Sequence, residues 1–132
     1  MNCMVSYHFL RRLNLVNTMK LNHPTGIIAE NLALCFLQSQ GLRLVIQNWH
    51  CRFGELDLVM LEQHTYVFVE VKYRKNTHFG GAIQSISASK YAKLVRAAEC
   101  YLQTHRIQAP SRIDAILLQD GCSPVWLKNI SG

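Results

Sequence analysis

The middle of the chain carries two mostly apolar runs punctuated by charged residues spaced two apart. Residues 56–61 and 66–74 are rich in Leu, Val, Tyr and Phe and flank Glu62, Gln63 and His64, which predicts two strands joined by a short turn. Side chains alternate across a strand. Leu56, Leu58 and Met60 are therefore expected on one face of the first run, opposite Glu55, Asp57, Val59 and Leu61. In the second run Phe68, Glu70, Lys72 and Arg74 share a face, opposite Val67, Val69 and Val71.

Helical spacing brackets this pair. Over residues 26–39, Ile27, Leu34 and Leu37 lie on one stripe together with Glu30, and Gly41 supplies a stop. Residues 42–48 read as a first strand. A second helix begins at one of Ser85, Ser87 or Ser89, after a loop containing Gly80 and Gly81, and runs to about residue 104. Tyr91, Leu94, Val95, Ala98, Tyr101 and Leu102 form its inward stripe, while Lys90, Lys93 and Arg96 lie off it. The near-continuous apolar run in residues 112–119 predicts a central, buried strand. Arg112 and Asp114 share a face there, an expected structural ion pair. Asp120-Gly121 turns the chain toward an edge strand over residues 125–130. The order is thus αβββαβ(β). A helix linking two strands of one sheet implies a crossover, hence a mixed α/β fold with a central mixed β-sheet flanked by helices.

The charged face of the strand pair is unlike an ordinary solvated hairpin, because Val59, Leu61 and Phe68 lie on it too. An ionised carboxylate in apolar company needs a partner or a metal. At about 4–5 Å, Asp57 and Glu70 would repel by roughly 3–4 kcal/mol at an effective dielectric of ~20. Lys72 offsets part of that, and a divalent cation more. The bland alternative is a cross-strand ion pair on a wet surface. The spacing Asp57, twelve residues, then Glu70-Val71-Lys72 favours a site instead. Mg²⁺ takes oxygen ligands and keeps several waters, so two or three carboxylates suffice. Lys72 stands roughly 7 Å along the same face from Glu70, within reach of a water or a phosphate oxygen. Such a group of residues suits phosphodiester hydrolysis.

Composition sharpens this. With 132 residues the chain is expected to form one domain. Fourteen basic residues against eight acidic ones give a net charge of +6, which favours polyanionic partners. Half of those acids (Glu30, Glu55, Asp57 and Glu70) belong to the candidate site. An acidic pocket in a positive surround suits a metal-dependent enzyme acting on a phosphate backbone. The five cysteines include no C-x-x-C pair, which argues against zinc or a disulfide framework and fits a reducing cytoplasm. Residues 1–23 contain no acid and break their apolar runs with Arg11, Arg12 and Asn14. They are expected to form a poorly packed extension ahead of a domain over residues 24–132, with Met19 an alternative start. No stretch has the length of a membrane span, and no membrane partner is expected.

The acid and lysine spacing resembles the PD-(D/E)xK nuclease superfamily, and the chain is more closely similar to the YraN family of small bacterial restriction-endonuclease-like proteins. The resemblance covers about residues 24–130. It is carried by Gly26-Ile27-Ile28-Ala29-Glu30, by Asn48 with Arg52, by Gly54-Glu55-Leu56-Asp57-Leu58-Val59 and by Val67-Phe68-Val69-Glu70-Val71-Lys72-Tyr73-Arg74. Phe79-Gly80, Lys90 and Arg112-Ile113-Asp114 extend it. The departures are Trp49-His50-Cys51 before Arg52, and Ile113 where an aromatic is expected. The resemblance implies a restriction-endonuclease-like core with Asp57 and Glu70 as metal ligands, helped by the Val71 carbonyl. It further implies Lys72 as the catalytic lysine, Glu30 as a supporting catalytic acid and Lys90 as a phosphate contact. Arg52, Arg74, Lys75 and Lys93 complete the expected nucleic-acid-binding set, with Glu55 either in the site or orienting Arg52. The expected function is a Mg²⁺- or Mn²⁺-dependent endonuclease acting on branched or damaged DNA, as Holliday-junction resolvases do. Cutting a four-way junction needs two active sites, hence a homodimer for that substrate. The alternatives are a non-catalytic module that keeps the nuclease fold and grips nucleic acid through Lys75, Lys90, Lys93 and Arg96, and a structural domain whose acids are locked in ion pairs.

Overall fold

The computed structural model describes residues 25–74, 86–119 and 121–130. Helix α1 (Thr25–Ser39) is followed by strands β1 (Arg43–Cys51), β2 (Gly54–Glu62) and β3 (Thr65–Arg74), helix α2 (Ala88–Thr104), and strands β4 (Ser111–Gln119) and β5 (Val125–Leu127). This is the expected αβββαβ(β) order. The extension over residues 1–23 and the loop carrying Gly80 and Gly81 lie outside the described residues.

The five strands form one sheet in chain order. β1, β2 and β3 make an antiparallel meander, with Gln63 and His64 as the turn between β2 and β3. Helix α2 then carries the chain over to β4, which runs parallel to β3 from Tyr66↔Ser111 to Arg74↔Gln119. β5 closes the far edge antiparallel to β4. Flanked on both sides, β4 is buried from Ile113 to Leu118, as its unbroken apolar sequence requires.

The helices cover opposite faces. On one, Ala29, Leu32, Ala33 and Leu37 of α1 pack on Leu58, Met60, Val67, Val69, Ile116 and Leu118. On the other, Leu94, Ala97, Ala98 and Tyr101 of α2 pack on Leu56, Val59, Phe68 and Ile113. Each fully buried aliphatic side chain of this kind is worth about 1.5–3 kcal/mol. Ser87 caps α2, its Oγ accepting the Lys90 N–H at 3.1 Å, which fixes the first turn of that helix.

Two pattern-based expectations are corrected. Ile27 does not face inward; it is 66 % exposed. Helix α1 is apolar on most sides, so its pattern leaves the phase open, and the small Ala29 and Ala33 select the side that can approach the sheet closely. Leu56 does not share a face with Leu58 and Met60. It packs with Val59 and Phe68 on the α2 side, so the alternation slips between Leu56 and Leu58. β1 also runs on to Cys51 rather than ending at Asn48, and β5 stops at Leu127.

Arg112 and Asp114 do pair. The Arg112 Nε–H lies 3.0 Å from Asp114 Oδ1, and its Nη1 donates to Glu62 at 2.8 Å. Asp114 is fully buried and also accepts from Trp126 Nε1 and from the Asn129 N–H. These donors offset the cost of burying the carboxylate. It ties β2, β4 and the segment after β5 together.

Candidate active site

The β2–β3 ladder runs from Glu62↔Thr65 to Leu58↔Val69 and goes no further. Where the next rung would fall, the Asp57 side chain takes over the hydrogen bonding. Its Oδ2 accepts the Val71 N–H at 2.8 Å, so a carboxylate fills the fork where β2 and β3 part. Glu70, beside Val71, points to the α2 side. It is only 4 % exposed. Its Oε1 lies 3.5 Å from the Lys72 Nζ on the same strand and 3.6 Å from the Lys90 Nζ in the first turn of α2. Its Oε2 is buried and has no hydrogen-bond partner among the described residues.

Glu30 arrives from α1, on the opposite face. Its carboxylate is favoured in its charged form by the nearby Asn48 side chain of β1 and disfavoured by the charge of Asp57. The neighbouring pair, Gln47 Nε2 donating to Asn31 Oδ1 at 3.0 Å, pins the same stretches of β1 and α1 together. Asp57 therefore stands between Glu70 on the α2 side and Glu30 on the α1 side, each of which feels its charge.

Their protonation reflects crowding. Glu70 is pushed up to about 7, first by burial and then by the charge of Asp57, against the pull of Lys90 and Lys72. Burial also raises Asp57, which the Val71 N–H and Lys90 oppose. Glu30 is raised by burial and by Asp57, and lowered by Asn48. Burial and mutual repulsion thus outweigh the donors that these carboxylates find. All three contrast with Glu62, held below its ordinary value by the Arg112 hydrogen bond.

The basic residues divide. Lys72 and Lys90 stand at Glu70. Lys93, one turn along α2, lies against the start of β2, where a Cβ built on Gly54 would sit 3.8 Å from its Cβ. Gly54 has a φ of +151°, which favours glycine, and this lets the β1–β2 turn approach α2. Arg52 is exposed at that turn with its guanidinium 4.7 Å from the Phe53 ring centre. It is not paired with Glu55, which lies exposed with its Oε2 4.0 Å from His50 Nδ1. Arg74 is exposed at the end of β3, and Lys75 lies outside the described residues.

Comparison with known proteins agrees with this architecture. A profile described as "Uncharacterised protein family UPF0102" matches residues 29–118, which include Glu30, Asp57, Glu70, Lys72 and Lys90. The chain belongs to the UPF0102 (YraN) family. That family is restriction-endonuclease-like. The UPF0102 protein of Neisseria gonorrhoeae is 52 % identical over 115 residues, covering 86 % of this chain and 100 % of the relative. Those of Psychromonas ingrahamii and Pseudomonas putida are 44 % and 51 % identical over 118 and 110 residues. They cover 89 % and 79 % of this chain and 97 % and 89 % of the relatives.

Two features of this UPF0102 chain escape a reading of side-chain pattern. Asn48 is visible as a residue but not as a left-handed turn inside β1 opposite Asp57. The hold of the Val71 N–H on Asp57 is invisible because it belongs to the backbone. Among the described residues no helix is long and apolar enough to cross a membrane.

Proposed function

We propose that this protein is a Mg²⁺- or Mn²⁺-dependent endonuclease that hydrolyses DNA phosphodiester bonds, with branched or damaged DNA as its substrate. The observation that supports it most is Glu70: a buried carboxylate with two ammonium groups on one oxygen and no partner on the other, beside Asp57. An orphaned, hard oxygen next to a second carboxylate fits a divalent cation. Among the described residues no three His, Cys, Asp or Glu side chains form a ready-made cage. Mg²⁺ does not require one, since it usually keeps several waters and takes one or two carboxylates.

Asp57 and Glu70 would hold the cation. When bound, it supplies a lowered pKa for water and neutralisation of charge on the phosphate. The protein's own residues do the rest. The Val71 N–H fixes the direction of Asp57. Lys72 brings an ammonium to the same point, where it orients the attacking water or stabilises the developing oxyanion. Glu30 adds a third carboxylate whose raised pKa suits it to holding a proton near that water. Lys90 and Lys93 lie along one side of α2 and, with Arg52, Arg74 and Lys75, provide the positive charge that binds the backbone. On a four-way junction, which needs two cuts, we propose that the protein acts as a homodimer.

A second reading rests on the same pair of lysines. They already neutralise one oxygen of Glu70, as they would in a module that grips nucleic acid without cutting it. A panel of duplex, flap, fork, four-way junction and single-stranded DNA incubated with Mg²⁺ or Mn²⁺ separates the two. Cation-dependent strand scission that stops in EDTA is expected. Retention of DNA in EDTA with a steep salt dependence and no nicking on any substrate would establish the binding module instead.

A further inference from the structure

Two ammonium groups crowd onto one oxygen of the site. Glu70 Oε1 lies 3.5 Å from the Lys72 Nζ and 3.6 Å from the Lys90 Nζ, while Oε2 has no partner among the described residues. Charge-assisted hydrogen bonds of this kind close to about 2.7–2.9 Å. Each ammonium is therefore held by its charge rather than by a tight bond. Together the two lysines already balance Asp57 and Glu70 when both are ionised. A divalent cation taken up by those carboxylates leaves one ammonium surplus, and repulsion at such short range in a half-buried place is strong.

The lysines differ in freedom. Lys72 projects from β3 where that strand is still paired with β4, at Lys72↔Leu117, and its side chain is 28 % exposed. Lys90 reaches Glu70 from another element and is 37 % exposed. Its backbone is fixed, since the Lys90 N–H donates to Ser87 Oγ at 3.1 Å and the Tyr91 N–H to the Ser87 carbonyl at 2.9 Å. Its stem is long and flexible. Lys93 stands three residues on, along the same side of α2. Lys90 is thus the ammonium that can leave Glu70 without any backbone movement, toward a side of the helix that is already basic.

We infer that Lys90 is a charge shuttle: its ammonium neutralises Glu70 until a divalent cation takes that carboxylate, and it then moves to a phosphate of the bound DNA. The inference deepens the nuclease reading and rests on it. It couples the two binding events, because the cation releases a positive charge that DNA accepts.

Lys90→Gln keeps most of the stem and removes the charge. At pH 8 and without DNA, calorimetric titration of the full-length protein should show Mn²⁺ binding about five- to tenfold more tightly to Lys90→Gln than to wild type, because the competing ammonium is gone. Retention of duplex DNA is then followed against salt, in EDTA and in Ca²⁺. In EDTA the two proteins should share one slope of log affinity against log salt. In Ca²⁺ the wild-type slope should be steeper by about 0.9, the value of one added phosphate contact, and Lys90→Arg should match wild type. Unchanged or weaker Mn²⁺ binding in Lys90→Gln would overturn the inference. So would a slope difference that is equal in EDTA and Ca²⁺, or absent from both. A wild-type protein that takes up no Mn²⁺ would instead remove the nuclease reading, and this inference with it.

Discussion

Asp57→Ala is expected to lower cation-dependent DNA cleavage by about a thousandfold or more, while the protein remains folded. The size follows from position. Among the described residues Asp57 is the one carboxylate fixed by a backbone donor of a neighbouring strand, and the charges of both Glu30 and Glu70 respond to it. Removing it deletes a cation ligand and the element that aims the rest of the site. The fold tolerates the change because Asp57 lies beyond the last β2–β3 rung and outside both apolar clusters. Its loss also relieves repulsion. Single-turnover cleavage with matched circular dichroism spectra checks this; undiminished cleavage would show that the fork is not the reacting centre.

Wild-type protein without divalent cations is expected to lose about 3 kcal/mol of stability as pH rises from about 4.5 to about 7. Between those values the native state keeps a proton on Glu70 while the unfolded chain has released its own. The unfolded state then binds fewer protons, so stability falls with pH until Glu70 ionises in the native state near pH 7. Glu70→Gln, which cannot ionise, should flatten that slope and melt above wild type at pH 8. Mg²⁺ should restore wild-type stability at pH 8, where Glu70 is charged, and have little effect at pH 5. It should not stabilise Glu70→Gln comparably. Thermal melts at the two pH values, with and without Mg²⁺, measure all four quantities. A slope of the opposite sign would mean that Lys72 and Lys90 hold Glu70 charged throughout.

These expectations depend on features of unequal visibility in the sequence. The period-two runs of β2 and β3 and the unbroken apolar stretch of β4 each have one sensible reading, so the sheet and its crossover were legible. So was the shared face of Glu70 and Lys72, because two residues of spacing along a strand leave side chains on one face; that Lys90 reaches Glu70 from α2 was not. Helix α1 was legible as a helix but not in its phase: with apolar residues on most sides, only the fit of Ala29 and Ala33 to the sheet decides which face turns in. The facing of Leu56 and the left-handed backbone of Asn48 escape the pattern for a single reason. Both lie at the rung where strand geometry breaks, and periodicity carries no information about a break in periodicity. The orphaned oxygen of Glu70 is a property of the folded surroundings, which the residue name does not disclose.

The most direct test of the proposed chemistry compares wild type with Lys72→Ala at equal cation loading. Mn²⁺ and DNA binding are first matched by calorimetry and filter retention, and strand scission is then followed on the best substrate. The account predicts that Lys72→Ala holds both and barely cuts, about a thousandfold below wild type. Equal scission by the two proteins, or none by a wild type that has bound both cation and DNA, would contradict it.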